Sequence, residues 1–273
     1  MANQVNLNFH QTFKPEVQYI SSILSISDGE TPFEVKDISN MTGIPNGKSS
    51  GKVEPHILYA SYMGLIEFRR EDGKYVLSRT PLGQAVFSED PGLQENLTIL
   101  LCHAMMCRKI NGADAWKTVF SYVLPKYKTG IKRDLLLKEL ENTYPGKVTS
   151  KNIAPLFSSY EDMFSGIGIL DANADTVSIS SLQYNKEYVY LYALILLYLW
   201  EESIPGQDEI SSVQFDTLSF GAIFGWNDEL EYKVLESLSD KGIIRLNRQL
   251  MPYTILKLAT KEYLIDKLYS ELC

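Results

Sequence analysis

The amino-acid sequence predicts a mainly α-helical protein with short β-hairpins, and three observations carry that prediction. Apolar residues recur at helical spacing through most of the 273-residue chain. An Asp-Gly pair separates two alternating segments at residues 65–77, which is typical of a β-hairpin. A glycine followed by two aliphatic residues ends a helical pattern three times, at residues 64–66, 168–170 and 242–244. We therefore expect an N-terminal winged helix-turn-helix, then a helical remainder, with further winged-helix-like modules if these endings are repeats.

Residues 15–87 follow the order helix, helix, turn, helix and hairpin, which is the order of a winged helix-turn-helix. Apolar spacing predicts the first helix at residues 15–26 and the third at residues 53–63. A polar, glycine-rich turn at residues 44–52 separates the second helix from the third. These elements predict a module that could enter a DNA groove with its third helix.

The second helix of this module has a predicted start at Thr31. Threonine at the N-cap, Pro32 at N1 and Glu34 at N3 form the pattern of a capping box, in which side chains satisfy free backbone N–H groups. Gly43 suits the residue that follows the helix. We therefore expect the helix to run from Thr31 to Gly43.

The remainder of the chain is predicted to be mostly helical and to form two further units. The three predicted domains cover residues 1–90, 91–182 and 183–273. Helices are expected at residues 94–108, 113–124, 131–144, 149–164 and 227–241, and hairpins at residues 171–179 and 245–258.

A cytoplasmic protein is expected from the apolar and cysteine patterns. The longest apolar run is 12 residues, 189–200, whereas a membrane span needs about 20. A helix of this length that is apolar all round predicts a buried core helix. The N-terminus lacks a basic segment followed by an apolar one, so no secretory signal is predicted. Three cysteines are too few for a disulfide framework and indicate a reducing compartment.

Charge is distributed unevenly along the chain, whose formal net charge is −8. Residues 108–152 hold 10 Lys and Arg against 4 Asp and Glu, net +6, whereas residues 153–273 hold 8 against 18, net −10. The basic stretch could contact nucleic-acid phosphates, or it could face solvent or the acidic C-terminal part. Both interpretations remain open from the sequence. Its candidate functional residues are Lys128, Lys132 and Arg133.

The third predicted helix and the hairpin carry the residues expected at double-stranded DNA. In a winged helix the third helix enters the major groove and the hairpin touches the backbone. Acidic neighbours such as Glu54 and Glu71 also fit a module that docks on proteins, so that alternative stays open. The predicted DNA-binding residues are Lys48, Ser49, Ser50, Lys52, His56, Arg69, Arg70 and Lys74.

Catalytic motifs are not identified in the sequence. Residues 43–49 resemble a phosphate-binding loop, but the glycine spacing is one residue short and Pro45 removes an N–H. Cys102, His103 and Cys107 share one apolar helix, where a satisfied core histidine is expected in place of a metal site. No metal site and no cofactor are predicted. His10 lies between two phenylalanines and is a candidate for proton transfer, phosphate contact or a purely structural role.

Several segments resemble the domain of unknown function 4007 family, in the order in which they occur there. These segments are residues 9–13 (FHQTF), 62–66 (YMGLI), 80–84 (TPLGQ), 188–202 and 205–207 (PGQ). The resemblance spans nearly the whole chain, which departs from the family pattern at residues 46–52. It implies a bacterial protein associated with DNA phosphorothioation and anti-phage defence, and one branch of the family is described as a DNA-nicking component.

Three functional hypotheses follow. The first is a DNA-binding component of a phosphorothioate-modification or anti-phage defence system, which acts with other proteins of that system. The second is a nickase of that system, which would need a divalent metal. The third is a non-catalytic interaction scaffold or a winged-helix transcription regulator, and a homo-oligomer is compatible with all three. The recognised DNA sequence does not follow from these residues.

Overall fold

The computed structural model describes residues 5–47, 50–127, 129–173, 175–249 and 251–272. Within them the protein is mainly helical with short antiparallel hairpins, which confirms the predicted fold class at this level. The helices are α1 (Val17–Ile26), α2 (Val35–Thr42), α3 (Val53–Tyr62), α4 (Pro81–Glu89), α5 (Asn96–Met106), α6 (Asp114–Thr118), α7 (Arg133–Thr143), α8 (Ser150–Glu161), α9 (Val189–Ser203), α10 (Ser212–Asp216), α11 (Asp228–Asp240) and α12 (Lys261–Lys267). The strands are β1 (Asp28–Phe33), β2 (Ile66–Glu71), β3 (Lys74–Arg79), β4 (Ile131–Lys132), β5 (Leu170–Ala172), β6 (Thr176–Ile179), β7 (Glu209–Ser211), β8 (Ile244–Asn247) and β9 (Thr254–Lys257).

The strands form three small sheets with one strand order. In each sheet a hairpin is joined on its second strand by an earlier strand, which gives the orders β1-β3-β2, β4-β6-β5 and β7-β9-β8. Two helices separate that earlier strand from the hairpin in every case. We call these units the first repeat (17–89), the second repeat (96–179) and the third repeat (189–267). The three predicted hairpins are confirmed, whereas the first strand of each sheet was missed.

The predicted capping box at Thr31 is wrong, because residues 28–33 form strand β1. The Thr31 side chain donates to the Asp28 carboxylate at 2.5 Å instead of capping a helix. Pro32 lies opposite Val76 on β3, at the edge of the sheet, where its missing N–H costs no ladder bond. Helix α2 begins three residues later than expected, and Glu34 and Asp37 form its capping box. The pairing of β1 with β3, which is distant along the chain, therefore outweighs the local helix-capping pattern at Thr31.

Helices α5 and α9 lie at the centre of the molecule. Every residue of α5 from Leu97 to Met106 is buried, and α9 is buried from Val189 to Leu197, as its apolar sequence predicts. Helix α9 packs against α5, α11 and α12, so it contacts elements of two repeats. Among the residues that the structure describes, no helix has the length and apolar character needed to cross a membrane.

The helix that precedes a hairpin ends in the same way in the first and third repeats. Gly64 and Gly242 both adopt the left-handed conformation, with φ of 72° and 70°. The next residue donates its N–H back into the helix, from Leu65 to Ala60 and from Ile243 to Leu238, each at 3.0 Å. The repeated glycine-aliphatic pattern is therefore a helix C-cap, after which the chain continues into the hairpin.

Gly83 allows helix α4 to touch the start of that hairpin. A Cβ atom at residue 83 would lie 1.7 Å from the carbonyl oxygen of Leu65. The contact places α4 directly against the backbone after α3.

We predict that Gly83→Ala destabilises the protein by about 1–3 kcal/mol, because the added methyl group overpacks a backbone contact. A helical glycine in open space would gain about 1 kcal/mol from the same change, so the sign is diagnostic. Urea denaturation measures the free energy of unfolding. Ser88→Ala, on the exposed side of α4, is the control and should stay within about 0.5 kcal/mol. Unchanged or increased stability in Gly83→Ala would contradict this packing.

Candidate nucleic-acid interface

The start of helix α3 carries the largest group of predicted DNA-binding residues. Lys48 and Ser49 lie outside the described residues, and Ser50 is exposed in the turn before the helix. Lys52 is the N-cap of α3 and points inward. Its Nζ lies 2.5 Å from the Glu16 carboxylate and within 6 Å of the rings of Phe13 and Tyr19. Lys52 therefore joins α3 to the start of α1.

The predicted basic residues of the β2–β3 hairpin also have carboxylate partners. Arg69 pairs with Glu71 at 2.6 Å, Arg70 pairs with Glu54 at 2.7 Å, and the ammonium of Lys74 lies 3.8 Å from Glu34. These pairs are exposed and individually weak, about 0–1 kcal/mol each. Even so, each one neutralises a charge that a phosphate would otherwise meet.

His56 is buried within the first repeat, with no exposed surface. The N–H of Glu16 donates to its Nε2 at 3.1 Å, and its Nδ1 donates to the Lys52 carbonyl at 2.7 Å. Burial lowers the pKa of His56 to about 4, against the opposing effect of the Lys52 carbonyl. In this structure His56 ties α1 to α3 and its ring does not reach solvent.

His10 is buried as well, at the contact between the N-terminal segment and helix α8. The N–H of Thr12 donates to Nδ1 at 3.1 Å, and Nε2 donates to the carbonyl of Asn152 at 3.0 Å. The ring packs near Phe9, Tyr59 and Trp116. Burial lowers its pKa to about 4, so the imidazole is neutral at pH 7. Of the roles predicted for His10, this geometry favours the structural one.

His103 confirms the expectation of a satisfied core histidine. Its Nδ1 accepts from the Tyr160 hydroxyl at 2.6 Å, and Nε2 donates to the carbonyl of Ile223 at 2.9 Å. The bonds join α5 to α8 of the second repeat and to a 3₁₀ turn of the third. Burial lowers the pKa of His103 to about 4 and raises that of the neighbouring Cys107 thiol.

Six basic residues of the second repeat lack carboxylate partners among the described residues. Two others in this repeat have them, since Arg108 pairs with Glu202 and Lys117 pairs with Asp114. Lys128 lies outside the described residues. Arg133 stacks on the ring of Phe157, 4.4 Å away, and its Nε has no hydrogen-bond partner among the described residues. Nearby acids accept from neutral donors instead, as Glu139 does from the Tyr127 hydroxyl. Within the described parts of the chain, the following have no ion pair: Lys126, Lys132, Arg133, Lys138, Lys147 and Lys151.

Helix α8 presents a narrow polar face beside these lysines. Thr149 caps the helix and forms a capping box with Asn152, and exposed Lys147 and Lys151 flank the cap. The solvent-facing residues of α8 fall on one side of the helix and are mostly small: Ser150, Lys151, Ala154, Ser158 and Glu161. Small side chains permit close approach of another surface.

Lys147 and Lys151 were not singled out among the site residues predicted from the sequence. In the sequence they lie around the start of α8, as Lys48 and Lys52 lie around the start of α3. The helix before the hairpin of the second repeat therefore repeats the sequence pattern of the first, and alignment of the repeats is the signal that would have found it.

Among the residues that the structure describes, no group of three or more His, Cys, Asp or Glu side chains converges as a metal site would require.

Comparison with known proteins identifies a shared fold. No family model and no curated protein matches the sequence. A crystal structure of SspB with a bound magnesium ion matches with a TM-score of 0.75 at 13% identity, over 98% of this chain and 90% of that one. A second SspB crystal structure matches with a TM-score of 0.73 at 13% identity, over 97% of this chain and 86% of that one. Nearly the whole arrangement of helices and sheets is therefore shared.

We predict that the protein loses stability as pH falls from about 6.5 to about 4, because of its three buried histidines. Each has a pKa near 4 in the folded state and about 6.5 when unfolded, so the unfolded chain binds more protons in this window. By pH 4, protonation of each histidine lowers the free energy of unfolding by about 3 kcal/mol. Urea denaturation across this range measures the loss.

Glu231 acts in the opposite sense. Burial raises its pKa to about 7, so its contribution to stability is greatest below pH 4.5 and falls as pH rises through 7. Between pH 6.5 and 4.5, Glu231 offsets the loss of stability caused by about one histidine. A free energy of unfolding that stays flat or rises on acidification from pH 6.5 to 4.5 would contradict neutral, buried histidines.

Proposed function

We propose that this chain is a DNA-binding component that contacts duplex DNA through its second repeat. One observation carries the proposal. The described basic residues predicted to bind DNA in the first repeat all have carboxylate partners, whereas the six named in the second repeat have none among the described residues. Neutralising phosphates with Lys and Arg releases counterions and supplies most non-specific DNA affinity. Cations without partners can do so without first breaking an ion pair.

Winged-helix-like modules are part of this proposal. The identical strand orders, each with two helices between the first strand and the hairpin, support such a module in every repeat. They also support boundaries close to residues 1–90, 91–182 and 183–273. Helix α8 is then the helix that precedes the hairpin of its module, which is the position of the element that enters a groove in this class of protein.

The charges of helix α8 fit a phosphate-contacting end. Its N-terminus presents backbone N–H groups and the positive end of the helix dipole. Lys147 and Lys151 add two cations at the same end, and Ser150 offers a hydroxyl that can reach a base edge or a phosphate. In this arrangement the lysines hold the backbone and the small face of α8 approaches the bases.

The biological setting that we propose rests on the family resemblance. It is a bacterial phosphorothioate-modification or anti-phage defence system in the cytoplasm, in which the chain acts with other proteins and can form homo-oligomers. The SspB structures support the shared fold, and the resemblance to the domain of unknown function 4007 family supports the DNA-directed role.

Metal-dependent strand nicking is the second hypothesis, and the magnesium ion bound to one SspB structure favours it. His10 takes no part in this hypothesis, because both of its ring nitrogens are bonded inside the core. Incubation of supercoiled plasmid with Mg²⁺ or Mn²⁺ tests it. Conversion to open circles would support nicking, and its absence with both metals across pH would contradict it.

We predict that the triple variant Lys132→Ala, Lys147→Ala and Lys151→Ala binds duplex DNA about tenfold or more weakly. Three lost phosphate contacts should also reduce the salt slope of log K by about three. Fluorescence anisotropy with labelled duplex at several salt concentrations measures both quantities. All three side chains are exposed, so the fold should be unaffected.

The matched control removes the same charge from the first repeat, as Arg69→Ala, Arg70→Ala and Lys74→Ala. We expect a smaller loss, because those cations are already paired. A larger loss of DNA affinity in this control would indicate that the first repeat contacts the DNA. No binding of the unaltered protein at low salt, or binding that salt does not weaken, would refute DNA binding altogether.

A further inference from the structure

A cavity of about 1120 Å³ opens between the second and third repeats. Its wall includes Leu124 and Ser181 from the second-repeat side and the start of α11 from the third. Four carboxylates line it, which we call the acidic cleft: Asp216, Asp228, Glu229 and Glu231. Among the described residues, no Lys or Arg lines the cavity.

The four carboxylates of the acidic cleft have no ion pair among the residues that the structure describes. Asp228, Glu229 and Glu231 lie in the first turn of α11, where the helix dipole favours negative charge. Asp216 is the last residue of α10 and has no such support. Glu231 accepts the N–H of Gly221 at 2.5 Å through one oxygen, while its other oxygen has no hydrogen-bond partner in the described chain. The carboxylates of the cleft therefore have no neutralising cation among the described residues. Burial raises the pKa of Glu231 to about 7, so at neutral pH most of the negative charge lies on the other three.

Aromatic side chains make up another part of the wall. Trp226 stacks against Phe224 at 4.4 Å, and Tyr232 packs edge to face with Tyr253 at 5.8 Å. Trp226, Tyr232 and Tyr253 all line the cavity. Arg248 already lies over the Tyr232 ring, 5.1 Å from its centre, which shows that this ring accepts a guanidinium. Carboxylates beside aromatic faces suit cations that carry an apolar stem.

The spacing of the carboxylates selects among cations. They line one cavity, yet no three of them meet the geometry of a metal site among the described residues. An extended ligand with several positive groups can satisfy separated carboxylates, and a single ion cannot. The cavity also exceeds the range of about 300–1,000 Å³ that is usual for small-molecule sites.

We propose that the acidic cleft docks a Lys- or Arg-containing segment of a partner protein. Its cationic groups pair with Asp216 and Glu231, and its side-chain stems lie on Trp226 and Tyr253. No described residue of α8 lines the cleft, so we expect the chain to hold a basic partner while it contacts DNA. The docking proposal does not depend on DNA binding.

The test uses a labelled peptide of alternating arginine and glycine, with a counterpart in which glutamine replaces arginine. The double variant Asp216→Asn and Glu231→Gln should weaken arginine-peptide binding about tenfold, a loss of about 1.4 kcal/mol. The amide oxygen introduced by Glu231→Gln can still accept the Gly221 N–H, and thermal denaturation checks that the variant folds. The control Asp171→Asn with Asp240→Asn removes equal charge from exposed positions outside the cleft and should bind normally.

Four outcomes of the peptide-binding assay would overturn the proposal. They are the absence of arginine-peptide binding to the unaltered protein, an equal loss in the control, glutamine-peptide binding that is as tight as that of the arginine peptide, and displacement of the peptide by spermine at equal concentration, which would indicate a polyamine site. Light scattering of the chain alone tests whether it associates with itself. Self-association that the cleft variant abolishes would make a second copy the occupant and would also overturn the proposal. Failure of DNA binding in the anisotropy titration leaves all of these outcomes unaffected.

Discussion

The pairing of an early strand with the second strand of a later hairpin governs where the helices of this protein lie. Strand β1 joins β3 through Pro32 opposite Val76, and β4 and β7 join β6 and β9 in the same way. Each pairing closes a loop that contains two helices, so the position of the last helix before the hairpin follows from the sheet. Because the register is set by the buried face of the sheet, a shift of one residue would move the buried side chains of the strand to the solvent face. The position of α3, which has no exposed residue, and that of α8, which keeps one exposed face, both follow from this closure.

Three buried histidines hold the helices around these sheets in fixed relations. His56 joins α1 to α3, His10 joins the N-terminal segment to α8, and His103 joins α5 to α8 and the third repeat. Each uses both ring nitrogens, as a buried polar group must if it is not to lose its hydrogen bonds with water. Helix α8 takes part in two of these joints. Its buried side is fixed by them, which leaves a single polar face for contact with other molecules.

Some charged residues of the surface have ion-pair partners, and others have none among the described residues. Ion pairs neutralise the predicted cations of the first repeat, such as Lys52 and Arg70. The start of α8 carries cations without partners, and the cleft between the second and third repeats carries carboxylates without partners among the described residues. Two surfaces of opposite charge thus occur in one chain whose net charge is −8. That separation fits a protein that connects DNA to a basic partner.

The mainly helical class, the three hairpins and the buried α9 could all be predicted from the sequence, because periodicity and Asp-Gly or glycine C-cap signals act over a few residues. The basic stretch at residues 108–152 could be located in the same way. Three other features came from long-range packing: Thr31 lies in a strand, His56 faces the core and Lys52 pairs with Glu16. Each of these depends on a partner that is distant along the chain, and local patterns carry no information about such partners. Charges can be counted in the sequence, but the fold sets which of them remain available.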